Sequence, residues 1–141
     1  CASSAGKCWI HSGGVILDQN QFWSNTAPQD TFCEAMADAA ESVVAYFDGK
    51  ISFVNVVCNL SVDCDCCAQA EDPCMKDIGI LSSTDPVALD QACMDQIRRS
   101  KDPGRDHFLE RITSRKGTRV IDTAAARGVG TKRYELIQVD V

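Results

Sequence analysis

The stretch KISFVNVVC, residues 50–58, narrows the fold more than any other part of the chain. It carries β-branched and aromatic residues on both faces of a pleat, where a strand with one wet face would alternate apolar with polar. Such a run reads as an interior strand. A second, shorter run of the same kind follows at DIGIL, residues 77–81, and helical periodicity flanks both. Strands alternating with helices predict an α/β layer architecture: a mostly parallel sheet flanked by helices, with parallel pairing wherever a helix makes the crossover. With 141 residues the chain has enough length for one domain with an ordinary core.

The helices announce themselves by their ends. TFCE, residues 31–34, has the form of a capping box, with Thr31 as cap and Glu34 reaching back. From there Phe32, Met36, Ala39, Ala40, Val43 and Phe47 share one face, which predicts a helix buried along that stripe and stopped at Gly49. In SSTDPVALDQACMDQIRRS, Thr84 or Asp85 caps a second helix and Pro86 fits its first position, where a missing N–H costs nothing. Val87, Leu89, Ala92, Cys93 and Ile97 form its apolar side. KDPGRD breaks the chain, DHFLERI predicts a third helix, TRVIDTAAARGVG a fourth ending at Gly128, and RYELIQV a final strand. Residues 1–29 read as a separate short, irregular segment ahead of an α/β core over 30–141.

Charge is segregated along the chain. Residues 1–97 hold three Lys/Arg against fourteen Asp/Glu, while residues 98–133 hold eleven against four, within a net charge of −6. The basic stretch contains a single aromatic residue, Phe108, and reads as a solvated helix face in preference to a nucleic-acid surface. No apolar run approaches the roughly 20 residues a membrane span requires. The start at Cys1 suits either a lipid-anchored processed terminus or a cropped chain.

Between the two strand-like runs lies VDCDCCAQAEDPCMKD, residues 62–77, which contains a cysteine-rich loop over residues 62–76. The chain has nine cysteines, four of them here with spacing C-x-C-C-x6-C. In a helix-and-strand chain of this kind, crowded thiols point to metal or redox chemistry in a reducing, cytoplasmic compartment. Cys64, Cys66, Cys67 and Cys74 supply enough sulfur for an iron–sulfur cluster, with zinc as the alternative, since thiolates prefer soft and borderline metals. A loop leaving an interior strand is also where open α/β sheets place ligands. Asp63, Asp65 and Asp72 are candidates for hard-metal ligation or for hydrogen bonds around the thiolates. Cys33, Cys58 and Cys93 read as packed thiols. The chain lacks a G-x-S-x-G elbow, a P-loop and a dinucleotide fingerprint.

The run VDCDCCAQAEDPCMKDIGILSSTDPVALDQACMDQI closely resembles the C-terminal core of the family called domain of unknown function 362, which carries D-C-D-C followed by D-I-G-I-L-x-S-x-D-P-V-A-x-D-x-A. FCEAMADAAESVV is similar to the family's preceding helix, and AAARGVGTKRYELIQV to its closing helix and strand; the stretch around 100–118 has no counterpart in the resemblance. The resemblance implies a C-terminal portion of a longer protein, completed by its own N-terminal part or by a partner subunit. It also implies association with iron–sulfur chemistry. Asp63, Cys64, Asp65 and Cys66 are carried over as the family's site, and Asp85 and Asp90 as its second motif, although Asp85 is already accounted for as a cap. Members often carry ferredoxin-like cysteines just upstream; CASSAGKCWIHSGG keeps only Cys8 in that frame, with Ala5 and His11 at the neighbouring ligand positions. Residues 1–29 thus resemble a degenerate ferredoxin-like motif or a lid, and Cys8 with His11 is a candidate second metal site.

Two function classes follow. The first is a metal- or cluster-binding redox module served by a redox partner protein. The second is a thiol/disulfide structural or switch module without metal, next to which a Mg²⁺-dependent enzyme using the acidic residues is a further alternative.

Overall fold

The computed structural model describes residues 28–63 and 70–139 in full, and the backbone alone of residues 2–4, 7–10 and 14–16. Strands β1 (Ala2–Ser4), β2 (Lys7–Ile10) and β3 (Gly14–Ile16) form an antiparallel sheet in the order β1-β2-β3. The core follows as α1 (Gln29–Phe47), β4 (Phe53–Val57), β5 (Gly79–Ser83), α2 (Pro86–Arg99), α3 (Arg105–Ser114) and α4 (Thr118–Ala126). The chain is thus of mixed α/β type.

The mostly parallel sheet expected from the sequence is not what the described residues form. β4 pairs with β5 antiparallel, in the register Phe53 with Ser83 through Val57 with Gly79. The reason lies in the connection. The described residues between the two strands, 58–63 and 70–78, contain no helix of the kind that makes a parallel crossover, and the chain returns alongside itself. Nor is β4 covered on both sides: Val54 and Val56 are about 60% exposed and Ile80 is 71% exposed, whereas Val57 is buried. The covered face holds Phe53, Leu81 and Val57, packed against Leu89 and Cys93 of α2.

α2 occupies the middle of the molecule. Leu89 and Cys93 face the sheet, and Val87 joins Ala37 of α1 with Ile121 and Ala124 of α4 in a second cluster. Every residue expected on its apolar side is buried: Val87, Leu89, Ala92, Cys93 and Ile97. The Asp85 carboxylate caps the helix by accepting from the Ala88 amide at 2.9 Å, and Pro86 opens it.

α1 departs from expectation in two ways. It starts at Gln29 with Pro28 in the cap position and no side-chain cap, so Thr31 lies inside the helix instead of at its mouth. Its buried residues are Cys33 and Ala37, while Met36, Val43 and Phe47 are 43–50% exposed. Charge decides which stripe turns inward. Asp30, Glu34, Asp38 and Glu41 recur at helical spacing beside Cys33 and Ala37, and they meet Lys116, Arg119 and Arg127 from α4 and its flanks. Small side chains between these ion pairs let the two helices approach closely. The charge segregation of the sequence is thus partly met inside the fold: Arg98, Arg111, Lys116, Arg119 and Arg127 pair with carboxylates from residues 1–97.

The expected final strand does not form; residues 133–139 have no regular structure. Two contacts tie this tail to α2. The Thr131 amide donates to Asp85 Oδ2 at 2.8 Å, and the Tyr134 hydroxyl donates to Asp95 at 2.9 Å. Among the described residues no helix is long and apolar enough to cross a membrane.

Candidate functional site

The cysteine-rich segment is held by its two stems. Leu60 and Met75 form an isolated antiparallel bridge, and the Cys74 amide donates to the Leu60 carbonyl at 2.9 Å. Nearer the tip, the Ser61 hydroxyl donates to the Glu71 carbonyl at 2.7 Å, and the Glu71 amide donates to Asp63 Oδ2 at 3.1 Å. Val62 and Met75 are buried in the stem, which anchors it to the core. At its base the Asn59 amide donates to Asp77 at 2.9 Å, with Asn59 at φ 50°, a left-handed conformation that asparagine tolerates.

α3 grips this stem from outside at four points. Asp102, just before the helix, accepts from the Lys76 amide at 3.1 Å and from the Gly104 amide at 2.8 Å. These two backbone donors, Gly104 first and Lys76 second, hold the Asp102 carboxyl below the usual carboxylate range. Gly104 lies so close to the Cys74 carbonyl that a Cβ there would overlap it. One turn on, His107 Nε2 is 3.0 Å from Glu71 Oε2, and one turn further Arg111 Nη1 donates to Asp63 Oδ1 at 2.9 Å. Arg111 Nη2 also lies 3.9 Å from Glu71. The i,i+4 spacing of His107 and Arg111 thus straddles both ends of the loop.

Sequence reasoning missed this role for the stretch around 100–118, which is where the stem finds its partners. Two signals were present: Asp102 before Pro-Gly, a form that binds its own turn, and basic residues spaced to share a helix face opposite an acidic loop.

The candidate residues fall in different places. Cys64, Asp65, Cys66 and Cys67 lie outside the described residues, as does His11, and of Cys8 only the backbone is described, in β2 opposite Ser3 and Ile16. Cys74 is a free thiol whose Sγ donates to the Leu60 carbonyl at 3.3 Å. Asp63 is committed to Arg111 and Glu71, Asp72 is exposed, and Asp85 is bound to Ala88 and Thr131. Asp90 accepts from Asn55 Nδ2 at 2.8 Å, which pins α2 to β4. Among the described residues no three His, Cys, Asp or Glu side chains converge as a metal site. The N-terminus of α2 is occupied by its own cap, the Asp85 carboxylate.

Two of the remaining thiols are packing groups. Cys33 is buried against the Lys116 carbonyl at 3.7 Å, and Cys93 is buried at the sheet, where desolvation raises its pKa despite a hydrogen bond from Asn55. Cys58 is half-buried at the end of β4.

A family model described as Domain of unknown function (DUF362) matches residues 1–95, from the N-terminal strands through the cysteine-rich segment and most of α2. The matched stretch ends before α3 and α4. No curated protein and no solved structure matches the chain.

Proposed function

The chain belongs to the family described as domain of unknown function 362, and from that premise we propose that it is a metal- or iron–sulfur-cluster-binding redox module whose ligand site is the cysteine loop. The closed stem is the observation that supports this most. Asp63 and Glu71 are bonded to each other, so the seven residues 64–70 leave and re-enter the fold at one place. No residue between them is more than four positions from the stem, about 14 Å even at full extension. Chain length thus bounds how far Cys64, Cys66 and Cys67 can lie from the stem that carries Cys74. These four would hold the metal as thiolates, which suit a cluster or zinc; a cluster supplies one-electron transfer and zinc a Lewis acid. The protein's own contribution is the closed stem that presents the sulfurs. A reducing, cytoplasmic setting would keep the thiols available and a redox partner protein would exchange electrons with the site.

Cys74 is a free thiol on the stem, with its Sγ against the Leu60 carbonyl, and this supports a second reading. That suits a thiol/disulfide switch between Cys74 and Cys64 or Cys66. One experiment separates the two. Anaerobically purified protein is analysed for iron, acid-labile sulfide and zinc, its visible spectrum is recorded, and its thiols are counted under denaturing conditions with and without reductant. Stoichiometric metal that disappears in Cys64→Ser and Cys66→Ser supports the redox module. Metal-free protein that regains two thiols on reduction supports the switch, and metal-free protein with all thiols already reduced eliminates both.

A further inference from the structure

A cavity of about 460 Å³ opens between the first turn of α1, the stem of the cysteine loop and α3. Its size falls in the range of pockets for small organic molecules. The lining has two characters. Phe32, Val62, Phe108 and Ile112 make apolar walls, and Asp63 with Arg111 makes a polar end.

Gln29, Ser61 and Arg115 also line the cavity, so it carries two guanidinium groups against one carboxylate. Each Asp63 oxygen is engaged: Oδ1 accepts from Arg111 at 2.9 Å and Oδ2 from the Glu71 amide at 3.1 Å. The Arg111 guanidinium has five N–H donors in a fork, and among the described residues it hydrogen-bonds through one nitrogen, to Asp63. Its approach to Glu71, at 3.9 Å, is an ion pair beyond hydrogen-bond length. The first turn of α1, which contributes Gln29 and Phe32 to the wall, has no side-chain cap, so it adds positive potential of the same sign. Asp30 in that turn opposes it, and Lys116 is paired with Asp30.

We propose that this cavity binds a small organic acid. Its carboxylate takes the Arg111 N–H donors that are not hydrogen-bonded to Asp63, in place of the looser ion pair with Glu71, and an aromatic or branched aliphatic body packs on Phe32, Val62, Phe108 and Ile112. Arg111 favours a carboxylate because the planar fork matches its two oxygens. The functional meaning rests on the redox reading above: the acid would be held beside Asp63, the residue before Cys64. The binding itself does not depend on that reading.

The test uses metal-free, reduced chain and ¹⁹F NMR. 4-Fluorobenzoate is titrated, with 4-fluorobenzamidine as the cation of the same shape and 4-fluorophenyl phosphate as the alternative anion, and ¹H–¹⁵N spectra of the chain are recorded alongside. Saturable binding of the benzoate is expected, at least tenfold tighter than the amidine and tighter than the phosphate, with amide shifts at Val62, Phe108 and Ile112. Arg111→Met should weaken it tenfold or more, and Arg111→Lys, which keeps the charge and one contact to Asp63, should lose less. Absence of saturation at millimolar benzoate, equal binding of the amidine, tighter binding of the phosphate, or shifts confined to another surface each overturns the proposal. Metal content is scored separately on the anaerobically purified protein before any metal is removed, so protein that carries no metal as purified and still binds benzoate sinks the redox module and leaves the cavity standing.

Discussion

Asp85 is the residue whose loss the structure prices most directly, because one carboxylate does two unrelated jobs. Oδ1 caps α2 through the Ala88 amide at 2.9 Å, and Oδ2 holds the Thr131 amide at 2.8 Å, fixing the chain after α4 to the start of α2. Removing a cap costs about 1 kcal/mol. A hydrogen bond to a charged acceptor is worth about 1.5–3 kcal/mol, and Thr131 is exposed, which places this one at the lower end. Asp85→Ala should therefore destabilise by about 2–3 kcal/mol, and Asp85→Asn, with one acceptor oxygen in place of two, by about half of that. Gly130 sharpens the test. A Cβ there would overlap the Asp85 carboxylate, which is held by its two hydrogen bonds and cannot swing away without losing them. Gly130→Ala should thus cost about as much as Asp85→Ala, and the double variant should cost little more than either alone. The coupling in the cycle is then about 2 kcal/mol, far above the roughly 0.5 kcal/mol scatter of independent sites. Urea denaturation followed by far-UV circular dichroism, with m-values checked for constancy, measures all four proteins. Additive costs would refute the clamp, since they would mean that the two positions do not share the same carboxylate.

Gly104→Ala should destabilise by about 1–3 kcal/mol, because its Cβ would meet the Cys74 carbonyl and backbone cannot move aside as a side chain can; the same variant should speed modification of the thiols by a disulfide dye, read as a rate increase over wild type. Acid stability provides another check. The Asp102 carboxyl is lowered by its backbone partners, so its contribution is present above the ordinary carboxylate value of about 3.9 and is lost as pH falls through the lower folded value. Asp102→Asn should consequently show a shallower acid limb in stability against pH, and an unchanged limb would remove Asp102 from the docking of α3. On α1, Val43→Asn should change stability by no more than about 0.5 kcal/mol, whereas Ala37→Leu should cost about 1–3 kcal/mol by overpacking, each read from denaturation midpoints. The reverse order would restore the stripe expected from periodicity.

How much was legible follows from where each signal resides. α2 was readable in full, since Asp85, Pro86 and the spacing of Val87, Leu89, Ala92, Cys93 and Ile97 all lie within thirteen consecutive residues and point the same way. Gly128, at φ 79°, marked the end of α4 just as visibly. α1 was readable as a helix but not in its orientation. Two stripes competed, a large apolar one and a small one flanked by carboxylates, and the winner depended on Lys116, Arg119 and Arg127 more than seventy residues away. The stem of the cysteine loop was invisible for the same reason, since His107 and Arg111 have no meaning until α3 is laid across Glu71 and Asp63.

The amino-acid order alone therefore determined which segments coil into helices, where they stop, and where the thiols cluster, because capping, glycine conformation and apolar spacing act over a few neighbouring residues. Tertiary structure alone decided that β4 and β5 run antiparallel, that α1 turns Cys33 and Ala37 inward, and that α3 closes the cysteine stem. Those outcomes depend on which distant group supplies the opposite charge, the backbone acceptor or the apolar cover, and such partners meet only once the chain has folded.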